Sequence, residues 1–286
     1  MSAPINCLCC HWSAAAETEV ASVDIERESS VQSNVSVGEV RIGTSGWHYR
    51  HWCGPFYPEK HPGSKMLDTY LQHFDTVEIN NSFYRLPTGA AFRCWRESTP
   101  KNFLFAVKGS RFITHMKKLK DPENALENLI PRAEQLKQKL GPILWQLPPH
   151  WTINTERLEE FLSALPKRHR YAIEFREHSW HTNRLYEILR RHNTAFCIFE
   201  LNGRHSPLEI TADWTYIRLH GPGGPYQGSY SSRKLEEWAE WIANQRGKLK
   251  AIYVYFDNDQ AAYAVDNALE LKRLISQNET SSPRAA

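Results

Sequence analysis

Eight short β-rich runs recur along this sequence from residue 40 onward, with starts roughly 30 residues apart. Helical patterns fill most of the intervals, and strands that alternate with helices predict a parallel sheet with crossover helices. Eight such units within about 240 residues match a closed barrel, so the predicted fold class is α/β, a (β/α)8 TIM-type barrel. The predicted strands are Val40–Thr44, Thr76–Asn80, Phe103–Lys108, Ile143–Leu147, Tyr171–Arg176, Ala195–Glu200, Thr215–His220 and Ala251–Asp257.

Capping and breaking residues mark the ends of the predicted helices. Ser64 and Thr182 are candidate N-caps, and Asp121 begins a helix that Pro131 should bend or split. The interval 201–213 contains a glycine and a proline but no helical pattern, which predicts an irregular sixth crossover. The predicted helices are Lys65–Phe74, Ala125–Leu140, Leu185–His192, Lys234–Arg246 and Ala261–Ile275.

The barrel domain is predicted to span residues 39–278. Residues 1–38 are predicted to be a disordered N-terminal extension, because their composition has no sustained hydrophobic period, and residues 279–286 a disordered C-terminal tail. The extension holds the ligand types of a zinc site, but structural zinc sites space their ligands more widely, so we favour an incidental cluster. The four residues of this cluster are Cys7, Cys9, Cys10 and His11.

Composition and net charge limit the cellular compartments and the classes of partner that we expect for this chain. With 41% hydrophobic residues the chain can build a large core, and a net charge of +3 is too weak to indicate a nucleic-acid partner by itself. No apolar stretch approaches the roughly 20 residues of a membrane span, and the acidic N-terminal region resembles neither a signal peptide nor a mitochondrial transit peptide. We therefore expect a cytoplasmic protein with free thiols and no membrane partner, whose oligomeric state stays open.

Nearly every predicted strand ends on a polar side chain, and these side chains share one orientation. In the second strand Glu78 and Asn80 alternate with Val77 and Ile79, so the two pairs face opposite sides of the sheet. Active sites of such barrels lie at the carboxyl ends of the strands, which is where these polar residues should meet. They are Ser45, Glu78, Asn80, Lys108, Gln146, Glu174, Arg176, Glu200, Arg218, His220 and Asp257.

Two interpretations of this charged set remain open. One is a salt-bridged plug, since charged groups are rarely buried unless they are paired. The other is an active site, which we favour because barrels usually fill their middle layers with apolar residues and carry function at the carboxyl end. In a site Glu78, Glu174 and His220 are the candidate catalytic acids and bases, although a hydrogen-bonded positioning role fits each of them alone equally well. The candidate groups for binding negative charge are Lys108, Arg176 and Arg218.

Three loops complete the predicted binding site. The loop after the first strand is rich in aromatic residues, which could stack on a ring-bearing ligand or pack as a lid. The loop after the fifth strand adds an aromatic wall, and glycines after the seventh strand let the backbone approach a ligand. The predicted ligand-binding residues are Ser45, Trp47, Asn80, Tyr84, Lys108, Gln146, Arg176, Trp180, Arg218, Gly221, Asp257 and Asn258.

Seven segments resemble the YecE-like family, also called domain of unknown function 72. They are RIGTSGWHYRHW, TVEINNSFYRLP, FAVKGSRFITH, GPILWQLPP, EFREHSW, YIRLHG and YFDNDQAAYAVDNA, and they extend from Arg41 to about Ala268. As a set they are specific to the family. The resemblance implies a TIM-type barrel and no established activity, and it leaves the residues before Val40 uncovered.

The leading functional hypothesis is an enzyme of hydrolase or lyase type that acts on a small anionic or phosphorylated ligand. No dinucleotide fingerprint is present, so no cofactor is expected, and too few strand ends carry histidine for us to expect a metal site. The first alternative is a non-catalytic binder of a nucleotide or of single-stranded nucleic acid, which would stack bases on Trp47, Trp52 and Trp180. The second is a metal-dependent phosphodiesterase.

Overall fold

Eight parallel strands form a nearly closed barrel in the computed structural model, which describes residues 37–281. This arrangement confirms the predicted (β/α)8 TIM-type fold. The barrel strands are β1 (Glu39–Thr44), β2 (Thr76–Ile79), β3 (Leu104–Lys108), β4 (Leu140–Gln146), β5 (Tyr171–Glu174), β6 (Ala195–Leu201), β8 (Trp214–Leu219) and β9 (Ala251–Phe256). Their hydrogen-bonded order is β1-β9-β8-β6-β5-β4-β3-β2.

The barrel closes where β1 meets β2. The Gly46 N–H donates to the Glu78 carbonyl oxygen (2.8 Å), and Ser45 forms an isolated parallel bridge with Glu78. Gly43 permits this contact, because a Cβ atom at that position would lie 2.4 Å from the carbonyl oxygen of Thr76. The first and second strands can therefore approach only if residue 43 lacks a side chain.

The sixth crossover is irregular, as the sequence predicted. A two-residue strand, β7 (Arg204–His205), pairs antiparallel with the end of β6, and the chain reaches β8 without an α-helix. The remaining crossovers contain helices that pack on the outside of the barrel. The helices of the described residues are α1 (Met66–Tyr70), α2 (Gly89–Glu97), α3 (Glu123–Ala133), α4 (Thr155–Ala164), α5 (Asn183–Arg191), α6 (Ser232–Arg246) and α7 (Tyr263–Ser281).

The helix ends agree with some of the predicted capping and breaking residues and differ from others. The Thr182 hydroxyl accepts from the Leu185 N–H (3.2 Å) and caps α5. Pro131 lies near the end of α3, after which the chain continues as a 3₁₀ segment, so the expected split is observed. Ser64 was wrongly predicted as a cap: it lies inside a 3₁₀ turn, and α1 ends at Tyr70. The sequence patterns did not predict α2 and α4.

The barrel interior is filled unevenly. β3, β5 and β6 contribute small side chains, among them Ala106, Ala172 and Cys197, whereas β8 and β9 contribute large aromatic ones. Small residues on one side leave the volume that tryptophan and tyrosine fill from the other, as close packing requires. Tyr216 and Arg218 have the same orientation on β8, so a layer of charged side chains lies directly above this aromatic filling. We call it the charged layer, and its members are Glu78, Glu174, Arg176, Arg218, His220 and Asp257. The aromatic residues of the interior are Trp214, Tyr216, Tyr253 and Tyr255.

Several predictions concern residues that the structure does not describe. The N-terminal extension up to residue 36, with its Cys7, Cys9, Cys10 and His11 cluster, and residues 282–286 lie outside the described range. α7 continues to Ser281, beyond the predicted end of the barrel domain at residue 278. Of the helices between residues 37 and 281, none combines the length and the apolar character that a membrane crossing needs.

Candidate functional site

A fully buried guanidinium lies at the centre of the charged layer. Nη2 of Arg218 donates to Glu78 Oε1 (2.7 Å) and to Asp257 Oδ2 (2.8 Å). Nε donates to Glu78 Oε2 (3.0 Å), and Nη1 donates to Glu174 Oε2 (2.9 Å). Burial alone would lower the pKa of Arg218, but the three carboxylates raise it well above the ordinary value. Arg218 therefore holds together strand ends from four parts of the barrel.

The carboxylate of Glu78 is saturated with hydrogen bonds. It accepts from the Ser45 hydroxyl (2.5 Å) and from the Tyr216 hydroxyl (2.7 Å), in addition to the two bonds from Arg218. A carboxylate has about four lone-pair sites, so these donors occupy its acceptor capacity. Since Glu78 is also 0% exposed, its protein partners leave it no position from which to meet a ligand.

Glu174 lies between two guanidinium groups. Its Oε1 accepts from Arg176 Nε (2.6 Å), while its Oε2 accepts from Arg218. Although burial by itself would raise the pKa of Glu174, Arg176 and Arg218 hold it well below the ordinary value. Burial would likewise lower the pKa of Arg176, but Glu174 raises it. Both groups therefore stay ionised and paired with each other.

His220 connects Asp257 to the two guanidinium groups. Its Nε2 lies 3.3 Å from Arg218 Nη1, 3.4 Å from Arg176 Nη2 and 3.5 Å from Glu174 Oε1. A carboxylate can only accept, so Nδ1 donates to Asp257 Oδ2 (3.0 Å). Burial would raise the pKa of Asp257, yet Arg218 and His220 lower it far below the ordinary value. Asp257 is thus a carboxylate with fixed orientation.

A cavity of about 760 Å³ opens above this layer. Lys108, Asn80 and Asp257 contribute polar groups to it, and Asp259 lies nearby in the same wall. Such a volume falls within the range of small-molecule sites. The aromatic lining residues are Trp47, Tyr49, Tyr84, Trp95 and Tyr226.

Lys108 is the cation that faces this cavity. The residue is only 4% exposed, and its Nζ lies 4.5 Å from the centroid of the Phe83 ring. Among residues 37–281, no carboxylate lies within salt-bridge distance of Nζ, and no oxygen accepts a hydrogen bond from it. Burial, and then the charge of Arg218, lowers the pKa of Lys108 to about 8. Its ammonium is therefore buried beside open space, with no acceptor from the described part of the chain.

Three buried amide oxygens near the strand ends also lack partners among residues 37–281. They are Asn80 Oδ1, Gln146 Oε1 and Asn258 Oδ1. Buried polar atoms normally have partners, so each is an available acceptor. Asn80 lines the cavity beside Lys108, whereas Gln146, at the end of β4, does not.

The predicted site residues fall into three groups. Trp47, Asn80, Tyr84, Lys108 and Asp257 line the cavity. A second group forms or borders the charged layer without lining the cavity. It consists of Ser45, Glu78, Gln146, Glu174, Arg176, Arg218 and His220.

The third group serves the architecture of the loops. The Trp180 indole is 0% exposed and donates to the Trp151 carbonyl oxygen (2.6 Å). Gly221 turns the chain at a φ of 106°, and its N–H donates to the Tyr230 hydroxyl (3.0 Å). Asn258 donates to the Gly228 carbonyl oxygen (2.9 Å) and is fully buried. None of these three predicted binding residues lines the cavity.

Other lining residues were missing from the predicted binding set. Tyr226, in the glycine-rich loop after β8, accepts from Arg176 Nη1 (3.1 Å) and joins the charged layer to the cavity wall. Trp95 packs edge-to-face on Trp47, with ring centroids 5.4 Å apart. It belongs to α2, which the sequence patterns did not predict. A tyrosine among glycines in a βα loop was the signal that could have identified Tyr226.

Within residues 37–281, no three histidine, cysteine, aspartate or glutamate side chains are grouped as a metal site would require. The acidic groups of the charged layer instead surround arginine. Trp52, which the nucleic-acid hypothesis uses together with Trp180, is 0% exposed, and its indole N–H donates to the Asp259 carbonyl oxygen (3.0 Å). Of the three tryptophans proposed for stacking, Trp47 alone lines the cavity.

The amino-acid sequence is similar to a protein family and to individual proteins of bacteria. The family model described as "Protein of unknown function DUF72" matches residues 41–286. The UPF0759 protein YunF of Bacillus subtilis is 25% identical over 273 residues, which cover 82% of this chain and 94% of that protein. The UPF0759 protein YecE of Escherichia coli is 28% identical over 138 residues, 48% of each chain.

Solved structures show the same barrel. A DUF72 family protein of Thermotoga maritima superimposes with a TM-score of 0.76 at 31% identity, covering 83% of this chain and 99% of that one. A DUF72 family protein of Enterococcus faecalis gives a TM-score of 0.72 at 17% identity, covering 83% of this chain and 95% of that one. The second likeness is one of fold alone.

Proposed function

The chain belongs to the DUF72 family of proteins of unknown function, and we propose that it is an enzyme of hydrolase or lyase type acting on a small anionic ligand in the cavity beside Lys108. One observation carries the proposal: Lys108 presents a buried ammonium, without an acceptor among the described residues, to an open cavity. A buried charge is costly unless a counter-charge accompanies it, and a bound anion supplies one.

The other cations of the layer support this assignment by being committed elsewhere. Arg218 donates to three carboxylates, and Arg176 donates to Glu174 and Tyr226. Neither guanidinium lines the cavity. An anionic group of a ligand in the cavity would therefore contact Lys108, whereas the two arginines lie behind the cavity wall and act on it only through their charge.

The charged layer positions the groups that face the ligand. In this proposal Glu78 and Glu174 act through Arg218, which holds Asp257 in place, and the His220 ring fixes the same carboxylate from its other side. The pKa of Lys108, about 8, lies close to neutral pH, so its amine can release and accept a proton during turnover. Lys108 is thus the proposed proton-transferring group, and Glu78, Glu174 and His220 are positioning residues.

The aromatic wall suits the remainder of the ligand. Trp47 and Trp95 form an edge-to-face pair that lines the cavity and makes this part of its wall aromatic. Asn80 and Lys108 make another part of the wall polar. A ligand with an apolar or planar body and one anionic end would satisfy both sides.

Thermal unfolding in the presence of small anions tests the proposal. Inorganic phosphate and acetate should raise the melting temperature of the wild-type protein in a concentration-dependent way, because they bind the folded state. Lys108→Met should lose this response. Lys65→Met is the matched control, since Lys65 is an exposed lysine next to the lining residue Ser64, and it should respond as the wild type does. Equal responses from all three proteins would refute the assignment of Lys108.

A further inference from the structure

We infer that the Lys108 amine forms an imine with a carbonyl carbon of the ligand, so that the substrate class is a small anionic aldehyde or keto acid. This inference rests on the proposed function and makes it more specific. Three features of the cavity carry it: the access of Nζ to open space, the absence among the described residues of an acceptor that would hold its protons, and the carboxyl groups available for proton transfer.

A second buried lysine shows what an unreactive environment looks like. Lys139 is 5% exposed, but its Nζ donates to the carbonyl oxygens of Arg96 (2.5 Å) and Thr99 (2.6 Å) and to the Thr99 hydroxyl (3.0 Å). Three oxygens therefore fix its ammonium. Lys108 is buried to a similar degree, yet its Nζ lies over the face of an aromatic ring and has no hydrogen-bond acceptor among the described residues. Its lone pair is correspondingly easier to expose.

The surroundings also favour the neutral amine that addition requires. Burial and the nearby Arg218 lower the pKa of Lys108, whereas no carboxylate between residues 37 and 281 contacts Nζ closely enough to reverse this effect. A desolvated lysine next to another cation is a recognised way to activate an amine as a nucleophile. Asp257, which interacts with Lys108 at longer range, is held by Arg218 and His220 instead.

The chemistry balances without an oxidant or reductant. The Lys108 ammonium first releases one proton to water in the open cavity, which leaves a neutral amine. The Nζ lone pair of this amine attacks the carbonyl carbon, and the C=O π electrons move to oxygen, which gives a carbinolamine after one proton of the amine passes from nitrogen to oxygen. The hydroxyl group then leaves as water with a second proton from nitrogen, and a C=N bond forms. Asp257 and Asp259 both line the cavity, and burial together with the charge of Asp257 raises the pKa of Asp259, so the wall offers one carboxylate acceptor and one weaker acid.

Competitive labelling of the full-length protein tests the inference with a small probe in place of the natural substrate. Glyoxylate, a small anionic aldehyde, is added with cyanoborohydride, which reduces any imine to a stable secondary amine, and labelled lysines are identified by peptide mass spectrometry. At pH 7.5 Lys108 should be labelled on the order of tenfold faster than the exposed Lys101, because the lowered pKa of Lys108 makes its neutral amine more abundant. Lys139 should be labelled most slowly.

The two proposals fail separately. Labelling of Lys101 and other surface lysines without Lys108 would overturn the imine, whatever the natural substrate. If phosphate still stabilises the wild-type protein in that case, anion binding at the cavity stands. If Lys108 is not labelled and phosphate does not stabilise the wild-type protein, the proposed function and the inference are both refuted. Labelling of Lys108 that inorganic phosphate suppresses would support both.

Discussion

Arg218 and Lys108 are two buried cations in neighbouring regions of the same barrel, and they differ in almost everything except burial. Arg218 is 0% exposed and donates to three carboxylates, while Lys108 is 4% exposed and has no oxygen acceptor within the described residues. The first belongs to a closed charged layer and the second to the wall of a cavity. Burial therefore does not distinguish a structural ion pair from a binding group, whereas hydrogen-bond satisfaction does.

The two interpretations of the charged residues therefore apply to different layers. The network around Arg218 has the properties of a salt-bridged plug: full burial, saturated acceptors and close packing. The cavity above it has the properties of a site. One carboxylate, Asp257, belongs to both layers. We expect substitutions in the lower layer to change stability most, and substitutions above it to change ligand binding.

Replacement of Arg218 should have the largest effect. Arg218→Met leaves the carboxylates of Glu78 and Glu174 buried without their shared cation, so the free energy of unfolding should fall by about 4 kcal/mol. Urea denaturation measures this loss. Arg191→Met removes an exposed pair with Glu159 and should cost less than about 1 kcal/mol. Similar small losses for both variants would contradict the structural role of the Arg218 layer.

Replacement of Lys108 should change the free energy of unfolding in the opposite direction and increase it. Lys108→Met removes a buried charge that lacks a counter-ion among the described residues and keeps a side chain of similar shape against Phe83. The free energy of unfolding at pH 7 should therefore rise by about 2 kcal/mol. The same urea experiment measures the gain. A loss comparable to that of Arg218→Met would show that Lys108 belongs to the plug.

The pH dependence of stability should carry the signature of Lys108. Its folded-state pKa is lowered to about 8 from 10.5, so between these values the unfolded chain binds a proton that the folded chain does not. The contribution of Lys108 to the free energy of unfolding should rise with pH in that window, by about 1–2 kcal/mol between pH 8 and 9.5. The difference between wild type and Lys108→Met isolates this contribution. A difference that does not vary with pH would refute the shifted pKa.

Substitution of an exposed residue in the outer wall of the cavity should have the smallest effect on stability. Tyr84 is 70% exposed yet lines the cavity, so Tyr84→Ala should change the free energy of unfolding by less than about 0.5 kcal/mol. Anion-induced stabilisation should weaken only slightly, because the charge of Lys108 remains. A destabilisation above about 1 kcal/mol would indicate that Tyr84 supports the barrel rather than the mouth.

The barrel and the composition of the charged layer can be predicted from the order of residues along the chain. Strand side chains alternate with a period of two, so the orientation of Glu78, Glu174 and Arg218 followed from their positions within β-rich runs. Capping at Thr182 and the glycine and proline of the sixth crossover were equally local signals. These features depend on neighbours a few residues away, which is why a linear pattern contains them.

Which of these charges are paired and which face open space depends on contacts between segments that are distant along the chain. Lys108 and Arg218 end their strands in the same orientation, but the carboxylates that pair with Arg218 lie 39 to 140 positions away along the chain. Whether a hydrogen bond forms depends on differences of a few tenths of an ångström in the distance between such segments. Access to the cavity depends on loops and on α2, a helix that has no clear sequence pattern. For that reason a sequence can name the members of the charged layer but not the one cation among Lys108, Arg176 and Arg218 that the cavity exposes.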